Sequence, residues 1–200
     1  MIKVTTALQT EFGVGYLHVY SFSEGCYMVF VFGDVIGQVN VLTRIHDQCL
    51  TADILHSDRC DCRQQRIEAL QQISKKGCGV FIHTPLEGRG QGLLAKIQQY
   101  AVQTELNLDT ITAAHHLGYS DDSREYNKIP LILKDLNIKT ISLLTNNPRK
   151  VAQLRRFGVH IEAVLPLLSE SLSEQASQYL LVKQQWFTAY QEAMSFQILD

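Results

Sequence analysis

Proline is scarce, four in 200 residues and scattered. No Gly/Ser-rich linker, low-complexity block or internal repeat interrupts the chain, which argues against a string of separate units. Neither sign of charge is in excess: 18 Lys and Arg stand against 20 Asp and Glu, a net charge of -2. That excludes a global basic field able to hold DNA or RNA by its phosphates, so any polyanion must be met by a local cluster. Long apolar runs are missing too, and none approaches the ~20 residues of a membrane-spanning helix. The amino terminus, Met1 to Thr6, has no charged head followed by an apolar block. No signal peptide and no membrane partner are therefore expected, and the expected compartment is the cytoplasm. Five cysteines, an odd number, do not suit a disulfide framework in a domain of this size.

What is present is ordinary globular composition, 46% hydrophobic and 19% charged. A chain this long buries roughly two-thirds of its unfolded surface and needs no staples. We expect one domain over 1–200, with a strand-rich part at 1–45, a central part at 46–165 and a helical tail at 170–200. β-Branched and aromatic runs predict strands at 7–11, 15–21, 26–32 and 38–43. From Asp61 the period becomes helical, with Ile67, Leu70 and Ile73 on one face, Asp61 and Gln64 as a capping box, and Gly77 as the stop. A short buried strand, 79–83, leads into the glycine-rich turn Gly88-Arg89-Gly90-Gln91-Gly92. A helix follows whose inward stripe is predicted to carry Leu93, Leu94, Ile97, Ala101 and Leu108. Ile129, Ile132, Leu133 and Leu136 predict another, with Pro130 in its first turn. A strand at 141–145 runs into a helix capped by Asn147, opened by Pro148 and ended by Gly158. A strand at 160–165 and a tail helix at 173–194, with Leu180, Phe187 and Tyr190, complete the pattern. Strands first, then alternating strands and helices, predict an α/β fold of mixed α+β character, a mixed sheet packed by helices.

Three cysteines crowd into fourteen residues: Cys49, Cys60 and Cys62. On a turn their thiolates can converge on one ion. Three thiolates with no evident fourth protein ligand match a zinc site with an open position rather than a closed structural one. His46 and His56 compete for that position, while Cys26 and Cys78 lie in apolar strand contexts. The alternative is three buried thiols in a reduced core. Two further segments suit an anion. Glu87-Gly88-Arg89-Gly90 and Thr145-Asn146-Asn147-Pro148-Arg149-Lys150 each lie between a strand and a helix start, where backbone amides and a cation can meet a phosphate. Arg44 and His46 add cationic capacity near the same mouth. Asp122 beside Arg124 reads either as a helix cap or as general acid–base chemistry next to phosphate.

Arg44-Ile45-His46, Cys49-Leu50-Thr51, Arg59-Cys60-Asp61-Cys62, Glu87-Gly88-Arg89-Gly90, Asp122-Ser123-Arg124-Glu125-Tyr126 and Thr145-Asn146-Asn147-Pro148 stand in the order and approximate spacing of GTP cyclohydrolase II, which this chain resembles over roughly residues 5–165. The resemblance implies a cytoplasmic homodimeric enzyme of riboflavin synthesis with one Zn2+ per protomer, and Mg2+ on the substrate phosphates. The reaction it implies opens the imidazole ring of GTP, releases formate and pyrophosphate, and leaves 2,5-diamino-6-(5-phosphoribosylamino)pyrimidin-4(3H)-one. It implies Cys49, Cys60 and Cys62 as zinc ligands, Arg124 as nucleophile toward the α-phosphate, Asp122 as proton acceptor and Tyr100 as the active-site tyrosine. It places Arg44, His46, Gln48, Gln65, Glu87, Gly88, Arg89, Thr110, Thr145 and Lys150 where the family holds GTP.

The chain departs from the family pattern at several points. His-Ser-Glu-Cys is here His46-Asp47-Gln48-Cys49, and Thr-Gly-Asp is Thr51-Ala52-Asp53. Arg63 and Arg66 replace a glycine and a leucine, Leu86 a glutamine and Gln91 an isoleucine. The carboxy-terminal Tyr-Leu-x-Thr-Lys signature is reduced to Tyr179-Leu180-Leu181-Val182-Lys183. The zinc and arginine motifs are kept and the substrate-reading shell is altered. Two other expectations stand beside GTP hydrolysis: the same chemistry on another purine nucleotide, or stopping at a formylated intermediate; and an inactive nucleotide-binding protein with structural zinc.

Overall fold

The computed structural model describes residues 2–167 and, in the tail, Leu181, Gln185 and Thr188, which are helical and exposed. The other residues of the predicted tail helix lie outside the described residues. Alternating side chains and two-residue turns make the first three strands an antiparallel meander: β1 (Ile2–Thr10), β2 (Gly13–Phe22) and β3 (Gly25–Phe32). Each turn delivers the chain into a positive-φ glycine, Gly13 at 120° and Gly25 at 137°. Then come β4 (Val41–Asp47), α1 (Leu50–Asp53), α2 (Cys62–Lys76), β5 (Gly79–Thr84) and a short 3-10 turn, Glu87–Gly90. They are followed by α3 (Gly92–Leu106), α4 (Thr110–His116), α5 (Ile129–Asp135), β6 (Ile141–Leu144), α6 (Pro148–Arg156) and β7 (Ile161–Leu165).

The strands form one seven-stranded sheet in the order β1-β2-β3-β5-β4-β6-β7. β3 meets β5 antiparallel, whereas β5, β4, β6 and β7 run parallel to one another. The predicted α/β mixed sheet is what the structure contains. One face carries a core of Ile45, Val80, Ile82 and Leu143 under Ile129, Ile132 and Leu133 of α5 and Leu154 of α6. The other carries Phe30, Leu42, Phe81 and Leu144 under Ala69, Leu70 and Ile73 of α2. The carboxyl ends of β5, β4 and β6 lie side by side, and a ligand crevice is expected outside such ends.

Several boundaries and faces differ from the sequence reading. The first strand begins at Ile2, because pairing with β2 continues to Ser21. The fourth strand is displaced, running Val41–Asp47 instead of 38–43. Arg44 and His46 are thus interior strand residues, 6% and 1% exposed, and not cations at a mouth. Asp61 makes no side-chain cap to α2; its carboxylate accepts instead from the Gln65 amide. No helix follows Asp122 directly, so its cap reading fails. The predicted inward stripe of α3 faces out, with Leu93, Leu94 and Ile97 42%, 75% and 44% exposed. The buried side chains of α3 are Ala95, Lys96 and Gln99, since polar groups at the site claim that face. The Asn147 cap holds: its side chain accepts from Lys150 N, with Pro148 next in line.

Candidate functional site

Strand parity divides the site residues of β4. Arg44 and His46 point to the α2 side, and Asp47, two residues beyond Ile45, points to the α5–α6 side. The three cysteines gather at the end of this strand. Cys49 precedes α1, and Cys60 and Cys62 straddle the start of α2. Their sulfur atoms all lie within 4.8 Å of one another, and Cys49 Sγ is 3.7 Å from Cys60 Sγ. A tetrahedral ion with Zn–S bonds of ~2.3 Å spaces two sulfurs about 3.8 Å apart. The trio therefore fits a thiophilic ion such as zinc. Among the described residues no His, Asp, Glu or further Cys joins the group. His46 is not a fourth ligand: its Nε2 pairs with Asp53 Oδ2 at 3.1 Å. His56 stands exposed outside the group.

A lysine that the sequence reading passed over meets the trio. Lys96 Nζ lies 3.1 Å from Cys49 Sγ and donates to Glu87 Oε1 at 2.8 Å. Burial works against its charge, but Glu87 and the Cys49 sulfur outweigh that and hold its pKa above the usual lysine range. Bonds from Cys60 and Cys62, with Lys96 beside them, draw Cys49 far below the usual thiol range. The bond to Cys49 pushes Cys60 up to about 11. Glu87 is fixed in turn by the backbone amides of Leu50 and Gly88, at 2.7 and 3.0 Å.

Beside the cysteines lies a second polar cluster. Arg124 donates Nε and Nη2 to Asp122 at 2.9 and 2.6 Å, and Nη1 to Asp47 at 2.6 Å. Asp47 also receives the Tyr126 hydroxyl at 2.8 Å and the Thr84 hydroxyl at 3.0 Å, and lies 3.0 Å from Lys150 Nζ. Burial opposes ionisation of Asp47, yet Lys150 and Arg124 hold it well below the usual carboxylate range. Lys150, whose Nζ also donates to Ile45 O at 2.7 Å, is lowered by burial to about 8 despite Asp47. Both clusters open on one cavity of about 110 Å³.

That cavity is lined by Asp47, Gln48, the three cysteines, Glu87, Gly88, Arg89, Lys96, Gln99, Tyr100, Thr110 and Arg124, among others. Tyr100 has Arg59 stacked 4.7 Å over its ring, and burial raises its hydroxyl to about 12. Arg89 reaches Asp121 O and Thr110 Oγ1, at 3.3 and 3.5 Å. Asp122 and Lys150 stand behind the lining through Arg124 and Asp47. Arg44, Gln65, His46 and Thr145 do not line it. Arg44 donates to Leu144 O at 2.9 Å and to Gln65 Oε1 at 2.7 Å on the α2 side. Thr145 is buried, and its hydroxyl accepts from Asn147 N. Lys96 and Gln99 were legible only as polar interruptions of α3, with Gln99 three and Tyr100 four residues after Lys96, which puts all three on one helical face.

The family model described as GTP cyclohydrolase II matches residues 2–166. The chain is 43% identical over 172 residues to "GTP cyclohydrolase-2" of Buchnera aphidicola subsp. Baizongia pistaciae, covering 84% of this chain and 86% of that protein. It is 44% identical over 142 residues to "GTP cyclohydrolase-2" of Yersinia pseudotuberculosis, covering 71% and 72%. To "Riboflavin biosynthesis protein RibBA" of Bacillus subtilis it is 41% identical over 186 residues, 90% of this chain, and it spans only 46% of that longer protein.

Proposed function

The chain belongs to the GTP cyclohydrolase II family, and from that premise we propose that it hydrolyses GTP in riboflavin synthesis, releasing formate and pyrophosphate, as a zinc-dependent homodimer of the cytoplasm. The observation that carries this reading is the shared cavity: three convergent thiols and a carboxylate-gripped arginine open on the same space. Ring opening and phosphate chemistry are what those two clusters suit. Among the described residues no helix is long and apolar enough to cross a membrane.

Cys49, Cys60 and Cys62 would hold the zinc, whose Lewis acidity, when bound, activates water for attack on the purine's five-membered ring. Lys96 and Glu87 set the charge and orientation around those sulfurs. The base and ribose lie toward Gln48, Tyr100 and Thr110, and the phosphates, with Mg2+, toward Arg89, Arg124 and Lys150. Arg44, His46, Gln65 and Thr145 support this shell from behind. Arg124 must shed a proton to attack the α-phosphorus through nitrogen, and Asp122 Oδ2, 2.6 Å from Nη2, is the acceptor in place. The same carboxylate grips the side of the guanidinium and aims it.

Incubation with GTP, zinc and magnesium, followed by mass identification of products, tests the reading. The pyrimidine product with one formate and one pyrophosphate supports it. A formylated product, or turnover of another purine nucleotide only, moves the chain to the diverged reading, which the exchanged residues Asp47 and Gln48 favour. Arg124→Lys should abolish pyrophosphate release and keep its zinc, because an ammonium lacks the planar fork. Near-normal turnover removes Arg124 from the mechanism.

A further inference from the structure

All the outward-facing nitrogens of Arg124 are taken by carboxylate. Asp122 holds Nε and Nη2, and Asp47 holds Nη1 at 2.6 Å. The same oxygen of Asp47 sits 3.0 Å from Lys150 Nζ and accepts the Tyr126 hydroxyl at 2.8 Å. Asp47 lines the cavity, and its side chain is only 11% exposed. It therefore bonds, from the substrate side, the two cations assigned to phosphate. Asp122 differs: it grips the far side of the guanidinium and is tied to its own loop by Arg124 N at 3.1 Å. Asp47 is also a residue by which this chain departs from the family pattern, which has the short, neutral serine there.

We propose that Asp47 is an internal counter-anion that competes with the substrate's phosphates for Arg124 and Lys150, and so sets how tightly this chain takes a polyphosphate; the inference rests on the nucleotide reading of the cavity. A phosphate oxygen and Asp47 Oδ2 cannot both bond Nη1 and Nζ without two negative charges meeting in a poorly solvated site. The binding-competent state is the one in which Asp47 has let go. The apparent dissociation constant equals the intrinsic one divided by the population of that state. A neutral residue at this position removes the competitor and leaves Arg124, still paired with Asp122, open at Nη1 to phosphate, while Lys150 regains an anionic partner once the phosphate binds.

The test is calorimetric titration of the zinc-loaded wild type, Asp47→Asn and Asp47→Ser with inorganic tripolyphosphate and with GTP. Tripolyphosphate binding is expected to tighten about tenfold in both variants, with a parallel fall in KM for GTP. Structural damage loosens a site, whereas removing a competitor tightens it. Unchanged, weaker or undetectable tripolyphosphate binding, in a variant whose circular dichroism and zinc content match wild type, overturns the proposal. Should neither variant fold, a crystal structure of the wild type with tripolyphosphate decides. Asp47 Oδ2 is expected beyond about 3.5 Å from both Nη1 and Nζ, and persistence of both contacts beside bound phosphate overturns it. Failure of GTP turnover in every form rejects the proposed activity instead, because tripolyphosphate binding needs no ring opening.

Discussion

Lys96 ties the cysteine trio to the glycine-rich turn, because its ammonium touches Cys49 Sγ on one side and Glu87 on the other. A cation beside a thiolate favours the deprotonated form that binds metal. Lys96→Met should weaken zinc retention about tenfold in competition with a chromogenic chelator, while Lys96→Arg keeps most of it; equal retention in wild type and Lys96→Met refutes this role. Lys150 supplies a pH signature. Its pKa is lowered by burial to about 8, so its charge fades as pH rises past that value. The KM for GTP should therefore climb above pH ~8, and Lys150→Arg, which stays charged, should flatten that limb. For stability the sign is opposite. The native state binds fewer protons than the unfolded chain between about 8 and the ordinary lysine value of ~10.4. Lys150 thus costs stability below pH ~8, and the cost disappears as pH rises toward ~10.4.

At the scale of elements, the short turn Glu87–Gly90 sets Arg89 and Glu87 against the loop bearing Arg124. Gly90 has φ +85°, and a Cβ there would stand 2.9 Å from Arg124 N and from Ser123 C. Backbone atoms cannot swing aside as a side chain can. Gly90→Ala should therefore cost about 2 kcal/mol, lower the melting temperature by several degrees and depress kcat more than it changes zinc content. A melting temperature within a degree of wild type refutes this. The elements also explain what the sequence disclosed. The Asn147-Pro148 helix start and the Gly77 stop were legible because capping and positive φ are local demands. The face of α3 was not. Apolar periodicity assumes that leucine turns inward, yet Lys96 and Gln99 are held inside by Glu87, Cys49 and Gln91, partners that lie outside the helix. For the same reason β4 was placed too early: a buried strand holding Arg44, His46 and Asp47 makes sense only once Gln65, Asp53 and Arg124 are seen to pair with them.

At the scale of the molecule, the chemistry gathers at one end of the parallel strands. Cys49 follows β4, Glu87 follows β5 and Thr145 follows β6, while the antiparallel meander β1–β3 contributes nothing to the cavity lining. The cysteine density was legible without a fold because its cause is chemical, whereas the union of the two clusters depends on strand order, which the chain does not spell out. A metal binding only the folded state should stabilise the whole molecule, by ~4 kcal/mol when free zinc stands a thousandfold above its dissociation constant. Stripping with a strong chelator should lower the melting temperature and open Cys49, Cys60 and Cys62 to alkylation, with exposed Cys26 reacting in both states as the control. Unaltered melting and no added alkylation would count against a metal at these sulfurs.

The loop that leads into α6 and Lys150 is fastened to the residues just past β7. The Asn146 side chain donates to Leu167 O at 2.7 Å and accepts from Leu167 N at 2.9 Å, a two-sided clasp of the kind one strand makes with another. Leu167 itself is buried, packed in the cluster under α2. A displacement of Leu167 is accordingly transmitted through Asn146 to the helix start beside Lys150. Repacking Leu167 then becomes a way to shift Lys150 without touching a single residue of the cavity.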